Sequence, residues 1–85
     1  MRLISCHNAW EDYQYWQSHD KRIVKKIDDL LKEIQKTPFE GMGNPLPLKF
    51  DYPGMWSRRI EKEHRLVYRI EGNDVLIYSC RFHHD

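Results

Sequence analysis

The chain has little of most things that announce a function. Two cysteines, Cys6 and Cys80, occur in 85 residues, too few to staple a small secreted scaffold, so a reduced, cytoplasmic protein is the default expectation. No apolar run approaches the roughly 18 residues that a membrane helix requires. The opening stretch Met1-Arg2-Leu3-Ile4-Ser5 lacks a signal-peptide layout. Excess charge is lacking too. Fourteen Lys and Arg stand against thirteen Asp and Glu, a formal net charge of +1, which removes any bulk-charge case for nucleic acid. There is no internal repeat and no low-complexity segment. Glycine and proline number four each, and half of these eight residues fall within Phe39–Pro47. Aromatics, by contrast, are plentiful, with three Trp, five Tyr and three Phe, so the composition is not that of a disordered chain. Residues 1–85 read as one small domain with no room for a second core. A chain of this length buries only about 60–65% of its unfolded surface, so modest stability is expected unless something else helps.

Hydrophobic spacing predicts the elements. Arg2–Cys6 is short and partly apolar, a possible first strand. Asn8, with Glu11 three residues later, has the form of a capping box, and Ala9–His19 reads as a short aromatic helix with Trp10, Tyr13 and Trp16 along one face. Asp20 caps a second helix over Lys21–Lys36, whose apolar positions Ile23, Val24, Ile27, Leu30, Leu31 and Ile34 follow a 3.6-residue stripe. Thr37-Pro38 ends it, because the residue before proline avoids helical geometry. The short join suggests a helical hairpin. Phe39–Pro47 is a stiff, exposed connector. Beyond it, Leu48–Asp51 reads as a short strand and Tyr52-Pro53-Gly54 as a turn. Trp56–Glu61 alternates, with Trp56, Arg58 and Ile60 on one face and Ser57, Arg59 and Glu61 on the other. Arg65–Ile70 places Leu66, Tyr68 and Ile70 on one face and Arg65, Val67 and Arg69 opposite. Gly72-Asn73 is a hairpin turn, and Val75–Phe82 a long last strand. A strand, two helices and an antiparallel meander make an α+β plan. The helices cover one sheet face; the other carries Arg59, Arg65 and the polar tail.

Two places could hold chemistry. Between Lys49 and Arg69 six cations (Lys49, Arg58, Arg59, Lys62, Arg65, Arg69) meet three acids (Asp51, Glu61, Glu63). A few arginines on one face of a rigid sheet make a local anion site, or simply a solvated face with cross-strand ion pairs. The C-terminus Cys80-Arg81-Phe82-His83-His84-Asp85 is the second place. On a strand, Arg81 and His83 share a face, setting a cation beside a proton donor that titrates near neutral pH. Cys80, His83, His84 and Asp85 are also conceivable metal ligands, but the spacing lacks a second ligand pair, and chain termini often fray. Trp10, Tyr13 and Trp16 read as core, as do Cys6 and Cys80. His7 and His19 carry no clear signal. The basic face of the second helix (Lys21, Arg22, Lys25, Lys26, Lys32, Lys36) is either solvated or able to meet phosphates.

Taken together, the strings WEDYQYWQ, DKRIVKKI, TPFEG-x-G-x-P-x-PLK, G-x-WSRRIEKEHRLVY and CRFHH resemble the YoeB/Txe toxins, within the RelE-like group of bacterial toxin–antitoxin systems. The resemblance spans essentially the whole chain, and WSRRI followed by EHRLVY is its most specific part. It implies a compact antiparallel sheet with two N-terminal helices packed on one face. It also implies a ribosome-dependent, metal-independent endoribonuclease, with no cofactor, that cuts mRNA in the decoding site and inhibits translation. The RNA supplies its own nucleophile, the 2′-OH. A base takes its proton, an acid protonates the departing 5′ oxygen, and cations stabilise charge building on phosphorus. The expected products are a 2′,3′-cyclic phosphate or 3′-phosphate and a 5′-OH end.

By that resemblance Arg65 matches the transition-state arginine and His83 the general acid. Lys49 and Arg59 match cations that hold the phosphate, with Arg58 and Arg81 as further substrate-binding candidates. Glu63 matches an acidic position able to orient Arg65 or a histidine, or to act as a fallback base. Two positions depart from the family pattern. Family members often have Glu, taken as the general base, between the two prolines, where this chain has Pro45-Leu46-Pro47. They also often end in His-Tyr, where this chain has His83-His84-Asp85; His84 can stack, or supply the missing base. Implied partners are a YefM/Phd-type antitoxin with a tail that folds on binding, the ribosome with mRNA in its decoding site, operator DNA only as the toxin–antitoxin complex, and a possible homodimer; no membrane is involved. The alternative that Leu46 favours is a catalytically weakened member acting mainly as the antitoxin-binding part of a DNA-bound repressor complex.

Overall fold

Asp20 is where the two helices meet. Its carboxylate accepts a hydrogen bond from the Arg22 backbone N–H at 3.0 Å, satisfying one of the amides that a helix N-terminus leaves unpaired. Its own N–H donates to the Trp16 carbonyl at 2.8 Å and so closes the preceding helix. The structure is a computed structural model that describes residues 1–48 and 54–82. In it α1 spans His7–His19 and α2 spans Lys21–Lys36.

The stripe on α2 is the core-forming one. Ile23, Ile27, Leu30 and Ile34 are buried, and Val24 and Leu31 pack against them half-buried. Each fully buried aliphatic side chain contributes about 1.5–3 kcal/mol. The hydroxyl of Tyr13 on α1 donates to Asp28 of α2 at 2.8 Å, pairing positions about equally far from Asp20, as in a helical hairpin.

Helix α1 starts differently from the capping-box expectation. Its N-cap is Cys6, which makes no side-chain cap. Asn8 lies inside the first turn, its amide donating to the Tyr78 carbonyl at 3.4 Å, and Glu11 faces His7. Trp10 also departs from the core reading: Trp16 is buried but Trp10 is 50% exposed. A three-residue step falls about 60° short of a full helical turn, so two steps swing the face by about 120°. Cys6 is exposed as well, and only Cys80 is buried.

The sheet has five strands in the order β1-β5-β4-β3-β2. These are β1 (Arg2–Ser5), β2 (Leu46–Pro47), β3 (Trp56–Arg59), β4 (Arg65–Glu71) and β5 (Asp74–Ser79). The antiparallel meander runs β2 to β5, with Glu71 opposite Asp74 around Gly72-Asn73. Strand β1 adds to β5 in parallel, because α1 and α2 intervene before the meander begins; the sheet is therefore mixed. Leu66, Tyr68, Val75 and Ile77 join the α2 stripe in one cluster, so both helices cover a single face.

Two predicted strands are shifted. Pairing begins at Leu46, and Leu48 follows the strand with its N–H donating to Met55 O at 2.9 Å; the rest of Leu48–Asp51, with Tyr52 and Pro53, lies outside the described residues. The last strand stops at Ser79, short of Phe82. Beyond it the chain leaves the ladder because the Cys80 N–H is taken by Asp12 of α1. No described helix is long and apolar enough to cross a membrane.

Candidate active site

Alternation puts Ser57 and Arg59 of β3, and Arg65, Val67 and Arg69 of β4, on the sheet face away from the helices; Ser57 and Val67 are buried there, Arg65 and Arg69 half-buried and Arg59 exposed. Register pairs Arg59 directly with Arg65, Ser57 with Val67, and Leu46 of β2 with Ser57. The Arg65 guanidinium is half-buried and donates through Nη1 to Ser57 Oγ at 3.3 Å. Arg59 is exposed, and its backbone N–H donates to Gly43 O at 2.7 Å, which ties the connector to this strand. Leu46 is 44% exposed. Among the described residues neither Arg59 nor Arg65 forms an ion pair with a carboxylate. Two cations in register on one face of a rigid sheet, with no carboxylate partner among the described residues, can bind an anion.

Arg58 departs from its expected role in substrate binding. It is completely buried. Its Nε donates to Tyr68 Oη at 3.2 Å, Nη1 to Met42 O at 2.9 Å, and Nη2 to Glu40 O at 2.8 Å and to the carbonyl of Thr37. Thr37 is the C-cap of α2, so the guanidinium satisfies a carbonyl that the helix end leaves open and sits at the negative end of its dipole. The Tyr68 hydroxyl, in turn, donates to Pro38 O at 2.6 Å. Arg58 fastens the connector to the core. Gly43 is the adjoining close approach: at φ +87, a Cβ there would lie 2.9 Å from Leu30 Cδ2 and 3.1 Å from Arg58 Cβ.

The chain after β5 is held at each end. Asp12 Oδ2 accepts from the Cys80 N–H at 3.0 Å, and Trp16 Nε1 donates to Cys80 O at 2.9 Å. The Phe82 N–H donates to His64 Nδ1 at 2.8 Å, and Phe82 O accepts from the Arg65 N–H at 3.0 Å. The Arg81 guanidinium lies 3.4 Å from the centroid of the Tyr15 ring, which itself stacks on His19. Because β5 ends at Ser79, Arg81 lies beyond the strand and stacks on Tyr15 of α1. Cys80 is buried against Ala9, and burial first, then Asp12, pushes its thiol up to about 12, so the metal-binding thiolate is disfavoured there.

Glu63 is exposed on the β3–β4 turn, just before His64 and Arg65. Lys49, His83, His84 and Asp85 lie outside the described residues. The structure adds Ser57, Asp12, Trp16 and His64 to the neighbourhood. Of these, His64 had a signal available, its place between Glu63 and Arg65; nothing local marks the other three.

Comparison with known proteins gives the family. A family model described as the YoeB-like toxin of bacterial type II toxin–antitoxin systems matches residues 6–84. The toxin YoeB of Escherichia coli K12 is 55% identical over 84 residues, which cover 99% of this chain and 100% of that protein. The solved YoeB/ParE toxin from Agrobacterium tumefaciens superposes with a TM-score of 0.96 at 48% identity, covering 99% of this chain and 100% of that one. YoeB of Staphylococcus aureus, solved as a dimer and in complex with YefM, gives TM-scores of 0.93 and 0.91 at 45% and 44% identity, covering 99% of this chain and 98% of that chain. The chain belongs to the YoeB-like toxins of bacterial type II toxin–antitoxin systems.

Proposed function

We propose that this toxin is a ribosome-dependent mRNA endoribonuclease that acts in the cytoplasm as a single domain and stops translation. The observation that carries the reading is the Arg59–Arg65 pair, opposite in register and without a carboxylate partner among the described residues, in a chain of this family. The reaction needs no cofactor. The substrate 2′ oxygen attacks the adjacent phosphorus, the 2′-O–P bond forms and the P–O5′ bond breaks. Arg65, with Arg59 and Lys49, stabilises the charge gathering on the phosphoryl oxygens. His83 gives its proton to the leaving 5′ oxygen, and Glu63 and His84 are the groups available to receive the 2′ proton. The products are a 2′,3′-cyclic phosphate, opening to a 3′-phosphate, and a 5′-OH end. The test is mapping of mRNA ends on programmed ribosomes with the wild type, His83→Ala and Arg65→Ala. Cleavage lost in both variants is expected; a wild type indistinguishable from either would refute the assignment.

Partners follow the same reading. A YefM/Phd-type antitoxin covers the arginine face with acidic and apolar residues of a tail that folds on binding. The chain meets operator DNA only as that complex, and a homodimer is the form expected without antitoxin. One observation favours a second reading: Leu46, exposed opposite Ser57, stands where the family pattern has a glutamate base. Under it the chain is a weakened nuclease serving mainly in the repressor complex. Expression without antitoxin separates the two: growth arrest supports the nuclease, unimpeded growth the repressor role.

A further inference from the structure

His64 has no part in the chemistry just described, yet its surroundings are specific. Its side chain is 14% exposed. The ring meets Trp16 edge-on, with centroids 4.8 Å apart, and lies 5.9 Å from the ring of Phe82. Because Nδ1 accepts the Phe82 N–H at 2.8 Å, the imidazole proton must sit on Nε2, the nitrogen that faces Glu61 Oε1 at 3.6 Å. Phe82 occupies the left-handed region, φ +68, which a bulky residue adopts only under tertiary constraint. The constraint is visible: His64 holds the Phe82 N–H while the next residue, Arg65, holds the Phe82 carbonyl. That carbonyl belongs to the peptide bond leading to residue 83. Two consecutive residues of β4 and its turn thus bind both backbone groups of the residue preceding His83, and one of the two is the arginine assigned to the phosphate.

We propose that His64 is a positioning residue for the reaction. By accepting the Phe82 N–H it holds, together with the Arg65 N–H, the residue that precedes the proposed acid His83 in the chain, and the reaction depends on that hold. This rests on the nuclease reading above. Misplacing a reacting group by about 1 Å costs on the order of 100-fold, whereas binding of the substrate is little affected.

The test uses the full chain on programmed ribosomes, with two mRNAs. One is natural; the other carries sulfur in place of the bridging 5′ oxygen at the cleaved bond, so that its leaving group departs as a thiolate and needs no acid. His64→Phe keeps the ring against Trp16 but has no acceptor, whereas His64→Asn returns an oxygen near the Nδ1 position. On the natural mRNA, His64→Phe should lower kcat about 10- to 100-fold with KM changed less than about twofold, and His64→Asn should recover most of that loss. On the sulfur mRNA the deficits of His64→Phe and His83→Ala should shrink together. Wild-type kcat in His64→Phe, an Asn variant as slow as Phe, or a His64→Phe deficit that persists on the sulfur mRNA while that of His83→Ala vanishes, each overturns the proposal and leaves the nuclease reading intact. Full activity of His83→Ala on the natural mRNA overturns both, and identifies the nuclease reading as the one at fault.

Discussion

Arg59 and Arg65 are register partners across β3 and β4, so two guanidinium groups leave the same sheet face from directly opposite positions. Like charges placed so cost stability, by a few tenths to about 1 kcal/mol. Under the proposed nuclease reading the pair meets the phosphate, and the repulsion is relieved by that anion. Arg59→Ala and Arg65→Ala should therefore each lower cleavage by about 10²–10³-fold. Thermal unfolding separates the two variants: Arg59→Ala should unfold at or slightly above the wild-type temperature, while Arg65→Ala forfeits the bond to Ser57.

Arg58, one residue away, should behave in the opposite way. Its guanidinium is fully buried and bonded to three carbonyls and the Tyr68 hydroxyl. Arg58→Ala leaves those buried groups unpaired, and should destabilise the fold by about 3 kcal/mol or more. Arg58→Lys should not restore it, because an ammonium cannot reproduce the planar fork. Denaturant unfolding reads the difference directly; an Arg58→Ala protein as stable as Arg59→Ala would contradict the structural role.

Leu46 offers a gain-of-function test. It lies opposite Ser57, on the face that carries Arg59 and Arg65, and is 44% exposed, so a longer polar side chain needs no repacking. Leu46→Glu should raise cleavage by about 10²-fold, within the usual contribution of a placed general base. Single-turnover rates on programmed ribosomes are the measurement, and an unchanged rate would mean that the 2′ proton already has an adequate acceptor.

Alkaline conditions should weaken the fold through two groups. Burial, aided by Asp12, pushes the Cys80 thiol from 9.0 up to about 12. Burial and the hydrogen bond to Asp28 push the Tyr13 hydroxyl from 10.0 up to about 12. Both are favoured neutral in the fold, so the unfolded chain loses these protons first as pH rises. Their stabilisation is complete below pH 9 and falls as pH climbs from 9 to 12, with Cys80 contributing most and the share of the more open Tyr13 reduced by solvent screening. Cys80→Ala should flatten the early part of that decline, and Tyr13→Phe the later part. Urea midpoints measured from pH 8 to 11 test it; a midpoint independent of pH would contradict the burial of both groups.

Much of this is local and was legible in the sequence. The α2 stripe from Ile23 to Ile34, the Asp20 cap, the Thr37 stop and the Gly72-Asn73 turn depend on residues within a few positions of one another, where periodicity and side-chain capping act. The motif strings likewise carried the family. Alternation also put Arg59 and Arg65 on one face, since a strand's pleat is a two-residue repeat.

Only tertiary structure decided the rest, because those outcomes depend on partners far away in the chain. Alternation along β3 puts Arg58 on the helix face, but only the arrival of Thr37, Glu40 and Met42 turned a candidate phosphate ligand into a buried fastener. Trp16 went to the core and Trp10 to the surface according to which side of α1 met β5. The parallel pairing of β1, the end of β5 at Ser79 and the hold of His64 and Arg65 on Phe82 join residues that are distant in sequence. Balanced charge and scarce cysteines spoke only to the whole chain, offering no bulk-charge case for nucleic acid and no disulfide scaffold; the register of β3 against β4 set Arg59 opposite Arg65, with no carboxylate partner among the described residues.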